Sequence, residues 1–169
     1  MLNMKAICPE PSCAIRPATR ADLPELQTML SALVAELAAT GEDYLQELDA
    51  HWQDEVQLKL RLALESPDGA LLIRPAAGFI GLSSARPFIS CGLVRQVGYI
   101  ELCWVAPEFR RSGLGRQLVL AAEGWFAARG LDYVELHYLN ASQTAAGFWQ
   151  ACGYAPFRQA CRRRLDARH

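Results

Sequence analysis

The apolar residues of this chain follow two periodicities, one typical of helices and one typical of strands. A leucine recurs every three or four residues over 23–37, which predicts an amphipathic helix that Thr40 and Gly41 end. Thr19 or Asp22 is suited to cap its start. A similar repeat predicts a second helix over 45–60 that stops near residue 66.

Further along the chain, short apolar runs between turn residues predict a set of strands. The last two helices are predicted over 118–129 and 142–151, each followed by a glycine. The predicted strands cover residues 13–18, 70–74, 79–86, 97–105 and 133–139, with a final one from Tyr154 onward.

This order of elements predicts the fold class. One strand, two helices, several strands and then alternating helices and strands are typical of a mixed α/β (α+β) sheet with helices on its faces. Residues 1–12 show no periodic pattern, so we expect a flexible N-terminal tail before a single domain over 13–169.

Composition narrows the functional classes. The 169 residues carry a formal net charge of −1, which argues against nonspecific nucleic-acid binding. No apolar run approaches the roughly 20 residues of a membrane span, and the N-terminus is too polar for a signal peptide. The six cysteines show no C-x-x-C spacing, so we expect free thiols, no metal site and a cytoplasmic location.

The segment 105–116 joins the long predicted strand to the third helix and carries the most chemistry. Gly113 and Gly115 let the backbone approach a ligand closely. The start of a helix offers unpaired N–H groups and a partial positive charge. Together these features predict an anion site for a phosphorylated ligand.

Three interpretations of these glycines compete. A nucleoside-triphosphate loop needs a lysine after its last glycine, where this chain has Arg116. A dinucleotide fingerprint needs a third glycine, where this chain has Leu118. A plain strand-to-helix turn without a ligand also fits the glycines taken alone.

Three segments together resemble the GNAT N-acetyltransferase superfamily. Arg110-x-x-Gly113-x-Gly115 is similar to its R/Q-x-x-G-x-G/A signature. Residues 15–23 resemble its opening strand and turn, and residues 140–154 resemble its closing N-x(4–7)-FY-x-x-x-GF segment. The resemblance covers about residues 13–165 and implies the GNAT acyl-CoA N-acyltransferase fold, a central mixed sheet flanked by about four helices.

The resemblance also implies acetyl-CoA as co-substrate. Its diphosphate would lie on the backbone N–H groups of residues 111–116, and its pantetheine arm would pair with the strand end as an added strand. The cofactor-binding positions that the resemblance implies are Cys103, Trp104, Val105, Arg110, Arg111, Ser112, Gly113, Leu114, Gly115, Arg116, Asn140 and Trp149.

The family reaction is the attack of a neutral amine on a thioester. Deprotonating a lysine-like amine at pH 7 costs about 4–5 kcal/mol, which a general base offsets. Glu101 is the candidate base, because an acid within an apolar strand is costly without a role or a partner. A solvent-facing or ion-paired Glu101 is the alternative, and Glu135 and His137 are weaker candidates.

The general acid departs from the family pattern. Many members carry a tyrosine where this chain has Trp149, which cannot donate an acidic proton. Tyr138, Tyr154 or water would then protonate the leaving thiolate, with Tyr138 as the candidate acid and Tyr154 suited to packing. The substitution leaves a non-catalytic acyl-CoA-binding sensor as the alternative function.

The acceptor is expected to be an amine of a small molecule or peptide. Residues 42–55 hold six acids and no lysine or arginine, and by resemblance this part of the chain lines the acceptor side. An acidic rim would favour a cationic amine, while a solvated helix face is the alternative. Several family members form homodimers, and this chain is a candidate for the same arrangement.

Overall fold

The computed structural model describes residues 14–40, 48–89 and 91–163 of the 169. They fall into two units, Met1–His137 and Tyr138–His169. Among them no helix has the length and apolarity that crossing a membrane requires. The elements are β1 (Arg16–Pro17), α1 (Leu23–Ala38), α2 (Trp52–Glu65), β2 (Gly69–Arg74), β3 (Gly78–Ala85), β4 (Val97–Val105), α3 (Leu114–Ala127), β5 (Val134–Leu136) and α4 (Gln143–Ala151).

The strands form one mixed sheet, as the sequence predicts. Its order is β1-β2-β3-β4-β5; the first three pairings are antiparallel, and β4 and β5 pair in parallel. Helices α1 and α2 cover one face through a buried core that includes Leu26, Leu60 and Phe79. Helix α3 packs against β3 and β4 so closely that a Cβ on Gly98 would lie 2.6 Å from the Phe126 ring.

Strand β4 is irregular at its centre, and this irregularity positions the site. Gly81 pairs with Leu102 and Leu82 pairs with Ile100, so Glu101 is the extra residue of a β-bulge. Strand β5 pairs only with residues 98–100. Beyond the bulge, the β5-side edge of β4 therefore has no strand partner within the part of the chain described.

A polar network fixes the junction between β1 and α1. The Asp22 carboxylate accepts hydrogen bonds from Arg16 at 2.7 and 2.9 Å and from the Thr19 N–H and hydroxyl at 2.7 and 2.9 Å. Asp22 is buried, and the Arg16 guanidinium holds the pKa of Asp22 well below its usual range, helped by Thr19 and opposed by burial. Asp22 occupies the N-cap position of α1, as predicted, but its side chain makes no capping hydrogen bond to that helix. The carboxylate instead accepts the Thr19 N–H and so caps the 3-10 turn that precedes α1.

Several predicted bounds were wrong. The first strand is only Arg16–Pro17, because a proline cannot extend the ladder of hydrogen bonds. Helix α2 begins at Trp52, and Leu48, which the periodicity placed inside the helix, lies before it and is exposed. Strand β5 spans three residues instead of seven, because β4 diverges at its bulge.

The strand predicted from Tyr154 onward is not found in the described residues, and two other predictions concern residues that the structure does not describe. Residues 154–163 contain no strand. The predicted tail over 1–12 and the start of the second repeat at Leu45 fall outside the described residues. The predicted helices at 118–129 and 142–151 correspond to α3 and α4, with Gly130 at φ +69° and Gly153 at φ +94° behind them.

Candidate functional site

The junction between β4 and α3 carries the predicted anion site. Strand β4 ends at Val105, a short 3-10 turn follows, and α3 begins at Leu114. Arg111 and Gly113 adopt left-handed backbone conformations, with φ of 61° and 87°. Alternation of left- and right-handed residues turns successive N–H groups to one side. The first N–H groups of α3 extend this concave, electropositive surface.

The loop is held from within and open on its outer side. The Ser112 hydroxyl donates to the Phe109 carbonyl at 2.5 Å, which closes the turn. A Cβ added to Gly113 would meet no atom within 4 Å, so the glycine is required by its backbone conformation and not by crowding. Arg111 and Arg116 have exposed side chains beside these N–H groups.

Arg110, the first residue of the motif, is directed towards the protein. Its Nη2 donates to Glu36 Oε1 on α1 at 2.6 Å, and its Nε donates to the Val105 carbonyl at 2.9 Å. The Trp104 indole N–H donates to the same Glu36 oxygen at 3.1 Å. Glu36 therefore ties the end of β4 and the entry of the loop to α1, a role that the sequence analysis did not find.

On its β5 side, the second half of β4 has no strand partner in the described part of the chain, and this edge lies next to the loop. Cys103, Trp104 and Val105 are half-buried, and Leu102 and Trp104 pack against the core of α1 and α2. An open strand edge is a template on which an extended, amide-bearing ligand can form main-chain hydrogen bonds.

Glu101 lies on the bulge at the start of this edge. Its side chain is exposed, and its Oε1 accepts a hydrogen bond of 2.6 Å from the Ser83 hydroxyl. Both residues line a groove of about 770 Å³ that runs between α2 and strands β2–β4. The exposure of Glu101 agrees with the solvent-facing alternative, whereas no ion pair of Glu101 is present among the described residues. The role of Glu101 as a base stays a prediction.

The two weaker base candidates lie on and after β5. Glu135 is opposite Tyr99 in the parallel ladder. The His137 ring contacts the Tyr99 ring at a centroid distance of 5.5 Å, and its Nδ1 is hydrogen-bonded to the Tyr99 hydroxyl. Neither residue is among those that line the groove at Glu101.

The second unit carries the remaining predicted positions. Tyr138 and Asn140 are exposed in the segment before α4, where the Ser142 hydroxyl accepts the Ala145 N–H at 3.3 Å. Trp149 is buried, and its ring contacts those of Phe148 and Tyr154 at 4.9 and 5.4 Å. Packing in this aromatic cluster accounts for Tyr154, as the sequence analysis expected.

Comparisons with known proteins identify the family and the fold. The family described as "Acetyltransferase (GNAT) family" matches residues 28–154, well over half of the chain. Among curated proteins, the chain is 30% identical over 89 residues to a mycothiol acetyltransferase of Thermobispora bispora, covering 52% of this chain and 30% of that protein. The chain thus spans less than a third of the length of the curated relatives it matches.

Solved structures share the fold. A GCN5-related N-acetyltransferase from Ralstonia eutropha is 26% identical, with a TM-score of 0.69 and coverage of 89% of this chain and 97% of its own. An aminoglycoside N-acetyltransferase, AAC(6')-Iy in complex with CoA, has a TM-score of 0.73 at 18% identity, covering 90% and 93%. The five-stranded mixed sheet with four helices is thus the GNAT acyl-CoA N-acyltransferase fold. The chain belongs to the GNAT family of acetyltransferases.

Proposed function

We propose that this protein transfers an acetyl group from acetyl-CoA directly to a primary amine of a small molecule or peptide. One observation carries the proposal. The start of α3 lies at one end of the β4 edge that has no strand partner among the described residues, and the exposed carboxylate of Glu101 lies at the other. The start of α3 suits a diphosphate, the β4 edge suits an extended arm with amide groups, and Glu101 suits an amine.

The residues fit acetyl-CoA by their chemistry. The N–H groups of residues 111–116 would hold the diphosphate, with the exposed side chains of Arg111 and Arg116 adding positive charge. The backbone of Cys103, Trp104 and Val105 would hold the pantetheine amides. Asn140 and Trp149 remain cofactor-binding positions by resemblance. When bound, the co-substrate supplies an activated acyl group with a thiolate as leaving group.

Glu101 acts in this proposal as the general base. Its carboxylate accepts a proton from the incoming ammonium group, directly or through water, so that the neutral nitrogen can form the new C–N bond as the C–S bond breaks. The Ser83 hydroxyl, 2.6 Å from Oε1, fixes one carboxylate oxygen and leaves the other for the amine. The departing thiolate takes a proton from Tyr138 or from water.

Arg110 takes a supporting part. Its contacts with Glu36 and with the Val105 carbonyl favour a role in shaping the loop over direct contact with the diphosphate. We therefore propose that Arg110 contributes to cofactor binding through the backbone that it holds.

Three further proposals concern the whole chain. The family match runs across both units, which supports a single catalytic domain over 13–169. The spacing of the six cysteines, which shows no C-x-x-C pair, supports a reducing, cytoplasmic location. A homodimer is proposed from the family resemblance alone.

A non-catalytic acyl-CoA sensor is the second candidate, and Trp149 favours it. The residue is buried against Phe148 and Tyr154, and an indole has no acidic proton to give to a thiolate. A sensor and an enzyme differ in turnover and not in acetyl-CoA binding.

Calorimetric titration with acetyl-CoA, followed by a thiol-release assay across a panel of amines, tests the proposal. We expect binding and release of one CoA per acetylated amine, identified by mass spectrometry of the product. Binding without release for any amine would favour the sensor, and absence of binding would reject both functions.

A further inference from the structure

The groove beside Glu101 has a defined architecture. One face of α2 forms its wall, and residues of β2, β3 and β4 form its floor. The wall consists of Lys59, Leu62, Ala63 and Glu65 on α2, with Ser66 directly after the helix. The floor combines three leucines with small and polar residues, and two of these leucines, Leu71 and Leu82, are almost fully buried. The floor residues are Gly69, Leu71, Gly81, Leu82, Ser83, Glu101 and Leu102.

Part of the groove lining is apolar and exposed to water. Leu62, in the α2 wall of the groove, is 59% exposed. A ligand that buried this leucine completely would gain about ten- to a hundredfold in its binding constant. Gly81 keeps the floor low, since a Cβ there would lie 3.2 Å from Leu71 Cδ2 and 3.5 Å from Leu102 Cβ. An apolar ligand could therefore cover side chains that water now contacts.

The charges along the groove are few and placed apart. Glu65 forms an ion pair of 2.7 Å with Arg20, so its charge is already compensated. Among the groove residues that the structure describes, Glu101 is the carboxylate without a cationic partner, and Lys59 adds a positive charge. One ammonium group matches Glu101, whereas a second one would meet Lys59.

We propose that the acceptor is a primary monoamine with an apolar body, and not a polyamine. Its nitrogen lies at Glu101 and its body covers Leu62 and Leu102. This inference rests on the proposed function, because it assigns the groove to the acceptor. The inference restricts the class of acceptor amine. An acidic rim alone would favour any cation, whereas Glu101, Lys59 and the apolar side chains of the groove favour an amine with one charge and an apolar body.

A comparison of two amines tests the inference in the full-length protein. We expect kcat/KM for 2-phenylethylamine to exceed that for spermidine by about tenfold or more, as burial of the ring predicts. The same amines are titrated calorimetrically in the presence of CoA, which gives a binding readout that does not depend on turnover.

Two leucines of α2 provide a matched pair of variants. Leu62→Gln should weaken 2-phenylethylamine about three- to tenfold in kcat/KM and in binding. Leu58→Gln changes a leucine that is 56% exposed, one turn earlier and outside the groove lining, and should leave both unchanged. Leu62→Met keeps the apolar contact and should restore most of the affinity.

Lys59 gives a second test of opposite sign. Lys59→Gln should raise kcat/KM for spermidine about two- to threefold, because a repulsive charge is removed from an exposed site. Arg61→Gln, on the same helix but outside the groove lining, should not.

The outcomes separate this inference from the proposed function. Preference for spermidine, or equal losses in Leu62→Gln and Leu58→Gln, would overturn the inference while leaving acetyl transfer in place. Turnover of no amine would overturn the proposed function, and the titration would still decide the inference. Binding of 2-phenylethylamine that Leu62→Gln weakens would support it, and absence of binding would reject it.

Discussion

The two sides of the candidate site are built from different parts of the chain. The donor side is made of main chain, from the β4 edge and the N–H groups at the start of α3 within one continuous segment, residues 101–116. The acceptor side is made of side chains that three elements far apart in sequence bring together, such as Leu62, Ser83 and Glu101.

This difference has a physical consequence for recognition. Main-chain N–H groups do not change with substitution, so the donor side depends on backbone conformation and tolerates varied side chains. The acceptor side changes with each side chain in the groove, and its selectivity can differ between proteins of the same fold. Substitutions on the two sides should therefore act on different kinetic constants.

The largest effect is expected at Glu101, where the two sides meet. Glu101→Gln keeps the shape and removes the base, so kcat should fall about a hundredfold or more while acetyl-CoA affinity stays unchanged. Steady-state kinetics over pH 6–9 and acetyl-CoA titration measure this. Asp132→Asn, at an exposed position before β5 and outside the groove, is the control. An unchanged rate and pH profile in Glu101→Gln would remove Glu101 as base.

Gly113 tests the donor side alone. Its φ of 87° costs a residue with a Cβ about 1–2 kcal/mol, so Gly113→Val should weaken acetyl-CoA binding about tenfold by displacing the N–H groups. Gly130→Val introduces the same kind of strain at the other end of α3, where φ is 69°. It should lower stability similarly without changing acetyl-CoA affinity. Equal affinity losses in both variants would point to general destabilisation instead.

Asp22 tests the stability of the junction between β1 and α1 and its dependence on pH. The Arg16 guanidinium lowers the pKa of Asp22, so this carboxylate stabilises the fold fully above the unfolded value of about 4. Its contribution is lost as pH falls further through the folded pKa. Asp22→Asn should lower the free energy of unfolding by about 1.5 kcal/mol at pH 7 and by less at pH 3.

Urea unfolding at the two pH values checks this prediction. Asp132→Asn, at an exposed position before β5, is the control and should show no pH-dependent difference from the wild type. A constant difference between Asp22→Asn and wild type at pH 7 and pH 3 would show that the carboxylate charge does not matter.

The smallest effect is expected at Glu36 on α1, which accepts hydrogen bonds from Trp104 at the end of β4 and from Arg110 in the loop. Glu36→Gln removes the charge that Arg110 contacts at 2.6 Å in an exposed pair, so KM for acetyl-CoA should rise about two- to fivefold with kcat unchanged. A change in kcat with KM unchanged would contradict a role through the loop backbone.

The donor side was largely predictable from sequence, and its geometry explains why. The apolar run of β4 and the left-handed glycine before α3 are local signals, and both lie where predicted. The cofactor role of these residues is still a prediction. The start of α2 was predicted wrongly. Leu48 fits the helical spacing of apolar residues, but it lies before the helix and is exposed.

The acceptor side was not predictable for a different reason. The contact between Ser83 and Glu101 depends on a bulge and on strand register, which no local pattern encodes. Glu36 contacts Trp104 and Arg110 across 68 and 74 residues of sequence. From one sequence, Glu36 cannot be distinguished from any other acidic residue on an exposed helix face.

Amide NMR of the ¹⁵N-labelled protein can show whether main-chain N–H groups at the start of α3 bind the diphosphate of CoA. We predict large downfield shifts of the Gly113, Gly115 and Arg116 amide resonances on titration with CoA. Pantetheine, which lacks the diphosphate, should leave them in place. If CoA shifts other resonances while these three amides stay unmoved, the diphosphate lies elsewhere and the claim is wrong.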